Sequence, residues 1–103
     1  MDPSPLLDEL WGLIRRIPEG RVTTYGALGE ALSQPSTGRQ VGRWLASSPD
    51  DIPWWRVIAK SGQLPSSKRD PVLGIEQTEL LHREGVGIND GVVELGTFFW
   101  TPL

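Results

Sequence analysis

The sequence contains no cysteine and only one histidine, His82, in 103 residues. Without thiols the chain can form no disulfide, no thiolate metal site and no cysteine nucleophile, and a single imidazole cannot build a histidine-rich metal site. We therefore predict neither a bound metal nor a cofactor. No run of about 18 apolar residues is present, so no membrane-spanning helix is expected. The acidic start MDPSPLLDEL lacks the basic-then-apolar pattern of an export signal, which favours a cytoplasmic protein.

Charge is distributed unevenly along the chain, although the net charge is only −3. Residues 15–69 carry nine basic and four acidic side chains, whereas residues 70–103 carry one basic and six acidic side chains. The basic middle could contact phosphates, but charge alone favours a mixed, solvated surface. Length and composition are those of one globular domain, which we place at residues 1–103.

Two short helices joined by a connector are predicted in the first half of the chain. Thr24 is placed to cap a helix over residues 25–31. Thr37 is placed to cap a second helix over residues 38–46, with Gln40 completing a capping box. Such a pair is typical of a helix-turn-helix motif, in which the N-terminal residues of the second helix meet DNA. The pattern alone is a weak signal, because many small helical domains contain such a pair.

Longer helices are predicted on either side of this pair. Apolar residues recur at helical spacing over residues 5–17, with Ser4 as the N-cap and Pro18 as the end of the helix. A further helix over residues 74–84 would stop at Gly85 and bury three apolar residues, Ile75, Leu80 and Leu81.

Short β elements are expected in the rest of the chain. Residues 55–64, WRVIAKSGQL, alternate loosely and predict a strand or extended segment with a turn at its end. The apolar residues between positions 92 and 100 predict a final strand or a packed tail. The chain is therefore expected to be mainly α-helical, with minor short β elements.

Four segments then occur in a recognisable order: IPEGRVTTYGALGEAL, GRQVGRWLASSP, IPWWRVIAKSGQL and LLHREGV. Together, over roughly residues 4–88, they resemble the DNA-binding and active-site domain of the O6-alkylguanine-DNA alkyltransferases. The resemblance implies a winged-helix-like, helix-turn-helix DNA-binding domain of the alkyltransferase C-terminal type. In those enzymes the third segment reads Pro-Cys-His-Arg, and the Cys takes the alkyl group. Here Trp54 stands at that position, which is the hallmark of the alkyltransferase-like proteins that bind the same lesions without repairing them.

Trp54 cannot replace the cysteine chemically, because indole offers no lone pair for attack at neutral pH. Its flat face can instead contact a flipped-out base, an interaction worth about 1–3 kcal/mol. The alternative, which composition alone favours, is that Trp54 is a core residue. The segment SSKRD (66–70) resembles the pocket loop of the alkyltransferase-like proteins, in which an Arg matching Arg69 lies against the base. Three further residues are expected to complete the pocket, namely Val57, Ile58 and Ser67.

Trp55 departs from the family pattern, which has His at this position. In the enzymes that His acts with a Glu matching Glu84 to deprotonate the thiol. Because both Cys and His are missing, no such relay survives and no catalytic residue is predicted. Glu84 is expected to be structural, paired with Arg56 or capping a helix end. Trp55 is expected to pack, with its indole N–H bonded to a partner.

Tyr25 and Arg39 match the two base-flipping residues of the family. The resemblance implies that Arg39 enters the base stack and pairs with the orphaned base, while Tyr25 presses on the backbone phosphate. Gly38, before Arg39, is expected to allow a closer approach to the minor groove. Ordinary surface roles are the alternative for each residue. Further candidates for DNA contact are Gln40 and Arg43 on the same helix, and Arg21, Lys60 and Lys68 elsewhere.

Three hypotheses of function follow. The first is a monomeric, non-enzymatic sensor that flips O6-alkylguanine in double-stranded DNA into its pocket and flags the lesion for nucleotide excision repair proteins. The second is a helix-turn-helix DNA-binding regulator without lesion specificity. The third, which the sequence disfavours, is an enzyme with Glu84 or His82 as the alkyl acceptor. The resemblance favours the first hypothesis, with no membrane partner and with association to the nucleoid when DNA is bound.

Overall fold

The computed structural model of the chain describes residues 4–64 and 71–102. These two stretches contain five helices: α1 (Ser4–Arg15), α2 (Tyr25–Ala31), α3 (Gly38–Leu45), α4 (Pro71–Arg83) and α5 (Leu95–Phe98). They also contain four short strands, β1 (Thr23–Thr24), β2 (Val57–Ile58), β3 (Ile88–Asn89) and β4 (Val92–Val93), and a 3₁₀ turn over Trp54–Arg56. This architecture confirms the predicted class, mainly helical with minor β elements.

The first helix ends earlier than its apolar pattern. α1 stops at Arg15, but Ile17 is still 1% exposed and belongs to the core. The chain tightens after the helix, since the backbone N–H groups of Arg16 and Ile17 bond to carbonyls three residues back, each at 3.1 Å. A tight last turn of this kind is common at helix ends, and it keeps the apolar stripe facing inward up to Pro18.

The predicted caps of α2 and α3 are both present. The hydroxyl of Thr24 accepts a hydrogen bond from Ala27 N at 3.1 Å, and that of Thr37 accepts one from Gln40 N at 3.1 Å. Each cap satisfies one of the backbone donors that a helix leaves unpaired in its first turn. The bounds of α2 are therefore as predicted, and α3 ends one residue before the predicted end.

The inward face of α4 differs from the predicted one. The helix starts at Pro71, before the predicted start, and Ile75 is 62% exposed rather than buried. The buried positions are Gly74, Gln77 and Leu81, while Leu80 is half-buried. The prediction was wrong for Ile75 because it assigned the stripe from apolar residues alone, whereas the actual face contains a glycine and an amide. The predicted stop at Gly85 is correct, with φ +84° there.

A parallel strand pair divides the core into two clusters. Thr23 pairs with Val57 and Thr24 with Ile58. Val57 and Ile58 point to opposite sides of β2, because side chains alternate along a strand. Val57 joins the first cluster, which is built mainly from α1, α2 and α3. Ile58 joins the second cluster, whose other buried members are Val22, Leu64, Leu81, Val86 and Val93.

The tail forms a hairpin and a short helix. β3 and β4 pair antiparallel, so Val92–Val93 is a strand, and the rest of the expected strand or packed tail begins with α5 and packs against the core. The tail returns to the start of β1, since Val22 N donates to Phe98 O at 2.9 Å and Trp100 N donates to Val22 O at 2.7 Å. In the described stretches, no helix is both long and apolar enough to cross a membrane.

Candidate nucleic-acid interface

Glycines bring α2 and α3 into close contact. A Cβ atom on Gly29 would lie 2.2 Å from the backbone oxygen of Ser36, in the connector between the helices. A Cβ atom on Gly38 would lie 3.0 Å from Gly26 N and 3.4 Å from the carbonyl carbon of Tyr25. The first turn of α3 is therefore packed against the first turn of α2. This contact brings together the backbones of the two helix turns that carry the predicted base-flipping residues, Tyr25 in α2 and Arg39 in α3.

The geometry gives Gly38 a role in helix packing. The position where its side chain would be faces α2, so the missing Cβ serves the contact between the two helices. A closer approach of DNA at Gly38 stays a prediction. Gly38 also carries one of the first-turn backbone N–H groups of α3, which lie at the positive end of the helix dipole.

Two arginines of α3 are exposed and uncommitted. Arg39 and Arg43 are four residues apart and lie on the same side of the helix. Among the described residues neither guanidinium forms a hydrogen bond or an ion pair. By contrast, Arg15 bonds to Asp51 at 3.2 Å, and this hydrogen bond lowers the pKa of the Asp51 carboxyl below its ordinary value. The α3 pair is therefore available to an anionic partner.

The other candidates for DNA contact lie around this pair. Tyr25 is half-buried and its ring packs against the first core cluster, while Gln40 is half-buried on α3. Lys60 is exposed after β2. Arg21 is exposed and its Nη1 donates to the backbone oxygen of Gly20 at 3.3 Å. DNA contact by these residues remains a prediction.

The two adjacent tryptophans occupy different environments on the 3₁₀ turn. Their rings meet edge to face, with centroids 6.1 Å apart and planes at 87°. Trp55 packs against the second core cluster, and the guanidinium carbon of Arg56 lies 5.4 Å from its ring centroid. Trp54 is half-buried and, within the described chain, belongs to neither core cluster. The composition-based alternative, a core role for Trp54, is therefore not supported by its surroundings.

Glu84 is the hub of the polar contacts around this turn. Its carboxylate accepts hydrogen bonds from Trp55 Nε1 at 2.8 Å, from Arg56 Nη2 at 2.6 Å and from Gly20 N at 3.0 Å. The pair is well shielded, because the side chains of Arg56 and Glu84 are only 15% and 7% exposed. Burial raises the pKa of the Glu84 carboxyl, but the hydrogen bonds from Arg56, Gly20 and Trp55 outweigh burial and leave that pKa below its ordinary value.

These contacts confirm what the sequence predicted for Glu84 and Trp55. Glu84 pairs with Arg56, and the indole N–H of Trp55 has found its partner. Gln77 was not among the predicted residues, yet it is 1% exposed and its Nε2 donates a hydrogen bond to the carbonyl of Trp55 at 3.1 Å. The sequence signal that could have found Gln77 is its spacing from Glu84, seven residues away at the same helical phase, although this spacing does not reveal the partner in the 3₁₀ turn.

The remaining pocket candidates are placed only in part. Val57 and Ile58 are fully buried, so their side chains are core residues, and a role for them in lining a pocket stays a prediction. Ser67, Arg69 and the rest of the SSKRD segment lie outside the described residues. In residues 4–64 and 71–102, no group of three or more His, Asp or Glu side chains is arranged to hold a metal ion.

Comparison with known proteins identifies the family. Residues 5–86 match the sequence model of one protein family, the 6-O-methylguanine DNA methyltransferase DNA-binding domain. The chain belongs to this family.

Family members differ in what surrounds this domain. A DNA base-flipping protein of Vibrio parahaemolyticus is 31% identical over 99 residues, which are 93% of this chain and 96% of that protein. The alkyltransferase-like protein 1 of Schizosaccharomyces pombe is 32% identical over 102 residues, 91% of this chain and 93% of that protein. A bifunctional methyltransferase/endonuclease of Thermoplasma volcanium is 38% identical over 88 residues, but the chain spans only 27% of its length.

The solved structures agree with this assignment. The crystal structure of S. pombe Atl1 in complex with damaged DNA containing O6-carboxymethylguanine matches with a TM-score of 0.83 and 32% identity. The match covers 99% of this chain and 100% of that one. The predicted resemblance to the alkyltransferase-like branch of the family is confirmed, and a chain without cysteine fits that branch.

Proposed function

We propose that this protein binds O6-alkylguanine in duplex DNA, flips the damaged base into a pocket walled by Trp54 and Arg69, and transfers no alkyl group. The observation that carries the proposal is the position of Trp54. By the family resemblance its indole stands where the enzymes have their cysteine, and it is half-buried outside both core clusters. A partly exposed aromatic ring can receive a base, because stacking on a base contributes about 1–3 kcal/mol.

The environments of Glu84 and His82, the two conceivable alkyl acceptors, disfavour alkyl transfer. Both oxygens of Glu84 already accept hydrogen bonds, from Gly20 and Arg56 on one side and from Trp55 and Arg56 on the other. A carboxylate with its lone pairs engaged by a guanidinium is a poor nucleophile and a poor general base. His82, the other conceivable acceptor, is exposed in the last turn of α4 and is not at the nucleophile position.

The α2–α3 pair supplies the means of extruding the base. Flipping costs a few kcal/mol of stacking and pairing, which the protein must offset with contacts to the gap and to the backbone. Arg39 is exposed and free among the described residues, and a planar guanidinium with several donors suits insertion beside an orphaned base. Tyr25 begins the neighbouring helix and would press on the adjacent phosphate. Gly38, Gln40 and Arg43 belong to the same DNA-facing region of α3 in this proposal.

The cellular role rests on the resemblance. By analogy with the alkyltransferase-like proteins, the bound complex marks the lesion for nucleotide excision repair proteins. The protein would act as a monomer in the cytoplasm, associated with the nucleoid when it is bound to DNA. The whole-protein activities of the bifunctional relatives are not part of this proposal, because the chain matches only a fraction of their length.

The direct test is fluorescence anisotropy with two matched duplexes that differ only in guanine or O6-methylguanine at one position. It should be run at several salt concentrations, because phosphate contacts make non-specific affinity salt-dependent. We expect tighter binding of the modified duplex at every salt concentration, and we expect Trp54→Ala to remove this preference. The matched control is Trp100→Phe, a change at a half-buried tryptophan in the tail.

Equal affinity for the two duplexes would refute lesion recognition and favour the regulator without lesion specificity. That alternative predicts affinity that follows DNA sequence. Mass spectrometry of the protein after incubation with the modified duplex tests the enzyme alternative. An unchanged protein mass is expected, and the gain of an alkyl group would overturn the non-catalytic assignment.

A further inference from the structure

Among the described residues, the ring of Trp54 contacts the ring of Trp55. The two indoles meet edge to face at 6.1 Å, a preferred geometry for aromatic pairs. Because Trp54 joins neither core cluster, no buried apolar residue of those clusters fixes the direction of its ring. Trp55 is therefore a contact through which the direction of the Trp54 ring can be fixed.

Contacts fix the indole N–H, the ring face and the backbone carbonyl of Trp55. Its indole N–H donates to Glu84 Oε2 at 2.8 Å, and the guanidinium of Arg56 lies over its ring. Its ring packs against the second core cluster. Its carbonyl accepts a hydrogen bond from the buried amide of Gln77 at 3.1 Å, and the same Nε2 atom lies 3.4 Å from the carbonyl of Val57.

Both clamping residues come from a single stretch of chain. Gln77 lies in α4 and Glu84 follows its last residue directly, seven positions later. Gln77 holds the backbone of the 3₁₀ turn, and Glu84 holds its side chains. The family has His at the position of Trp55, and a neutral imidazole could also donate one N–H to Glu84. An imidazole is smaller and could not make the same aromatic contact with Trp54.

We propose that Trp55 is a positioning residue that fixes the direction of the Trp54 ring, with Gln77 and Glu84 as the clamp that fixes Trp55. At this position the enzymes have a His that takes part in proton transfer, whereas this chain has a Trp that holds a neighbouring ring in place. Preorganising the base-contacting ring lowers the entropy lost when the lesion binds. The consequence for lesion affinity rests on the function proposed above, whereas the positioning of Trp54 can be measured in the protein alone.

Two variants each remove a different part of the Trp55 contacts. Trp55→His restores the family residue and retains a ring N–H that can meet Glu84, but it loses most of the aromatic contact with Trp54. Trp55→Phe retains an aromatic ring but loses the N–H. Trp100→Phe is the matched control, because it removes an indole that packs against the first cluster, on the other side of β2.

The first measurement is the indole N–H region of the ¹H–¹⁵N correlation spectrum of the free protein, which contains five tryptophans. The resonance of Trp54 is assigned by its loss in Trp54→Phe. We expect this resonance to shift and broaden in both Trp55 variants and to stay in place in Trp100→Phe. The backbone amide resonances of the same spectra establish that each variant is folded. A Trp54 resonance with wild-type position and width in both Trp55 variants would overturn the inference.

The second measurement is the ratio of affinities for the unmodified and O6-methylguanine duplexes. We expect Trp55→His to reduce the preference for the lesion about two- to tenfold, the range for loss of an aromatic contact, with unmodified DNA bound as before. An unchanged ratio in both Trp55 variants would overturn the link to lesion affinity. If the wild-type protein shows no preference at all, the proposed function fails and this link fails with it. The Trp54 resonance still decides whether Trp55 positions that ring.

Discussion

Glu84 accepts a hydrogen bond at 3.0 Å from the backbone N–H of Gly20, a residue 64 positions earlier in the chain. This contact joins the turn before β1 to the end of α4. Gly20 has φ +83°, and a Cβ atom there would lie 3.2 Å from the backbone oxygen of Glu84, so a side chain would crowd the contact. The same carboxylate binds Arg56 and Trp55 of the 3₁₀ turn. One acidic group therefore joins three segments that are distant in the sequence.

Removing this charge should destabilise the fold. We expect Glu84→Gln to lower the free energy of unfolding by about 3 kcal/mol, because it leaves the shielded guanidinium of Arg56 without its counter-charge. Urea denaturation at about pH 7 measures the change. The matched control is Asp51→Asn, which breaks the exposed ion pair with Arg15 and should leave the unfolding midpoint unchanged. Equal midpoints for wild-type protein and Glu84→Gln would show that the shielded ion pair does not stabilise the fold.

The Glu84 carboxylate should also contribute to the pH dependence of the free energy of unfolding. Because folding lowers the pKa of the Glu84 carboxyl, the unfolded state binds its proton more tightly than the folded state. The contribution to stability is therefore fully present above the unfolded-state pKa of about 4.3, and it is lost as pH falls through the lower folded-state pKa. Urea midpoints measured from about pH 7 to about pH 2 should fall less in Glu84→Gln than in wild-type protein. Parallel curves would contradict the lowered pKa.

Replacement by alanine should have opposite effects on stability at Gly29, which lies in the α2–α3 contact, and at Gly12, which lies in α1. Gly29→Ala would place a methyl group on the backbone oxygen of Ser36, and we expect a loss of about 1–3 kcal/mol or more as the backbone shifts. Gly12→Ala adds the same methyl to α1, where nothing lies within 4 Å, and should stabilise the fold by about 0.5–1 kcal/mol through helix propensity. Thermal unfolding of both variants gives the two signs. A neutral Gly29→Ala would mean that the connector moves aside freely.

Local signals predicted the parts of this fold that local chemistry decides. The caps at Thr24 and Thr37 were readable because a hydroxyl before a helix satisfies that helix's own first-turn donors. The stop at Gly85 was readable because a glycine adopts positive φ without strain. In each case the residue that carries the signal and the group that it serves are at most a few positions apart.

The missed parts depend on partners distant in the sequence. Gln77 is buried because the carbonyl of Trp55 lies opposite it, and no pattern within α4 reveals that partner. Ile75 reads as apolar and inward, yet the packing of α4 leaves it at the surface. More of the candidate site than of the tertiary contacts could be predicted, because the candidate residues Trp54, Tyr25 and Arg39 came from the family resemblance and not from periodicity. Contact of these three residues with DNA remains a prediction for the binding experiments.

Arg43 should contribute to DNA binding without regard to the lesion. A phosphate contact releases counterions, so Arg43→Ala is expected to weaken both duplexes equally and to reduce the slope of log K against log salt by about 0.9. Anisotropy titrations at several salt concentrations measure both quantities. The control is Arg83→Ala, which removes an exposed arginine in the last turn of α4. If Arg43→Ala changes neither the affinity nor the slope, then this end of α3 does not touch the backbone.

Arg39 should behave differently from Arg43, although both are exposed on the same side of α3. If Arg39 fills the gap left by the extruded base, its guanidinium makes hydrogen bonds that form only when a base has left the stack. We therefore expect Arg39→Ala to weaken binding of the O6-methylguanine duplex by about tenfold or more, and binding of the unmodified duplex much less. A fluorescent base analogue opposite or beside the lesion reports flipping directly, and its signal should be lost in Arg39→Ala but kept in Arg43→Ala. Equal weakening of both duplexes by both variants would make Arg39 a phosphate contact and would leave Tyr25 as the remaining candidate for extruding the base.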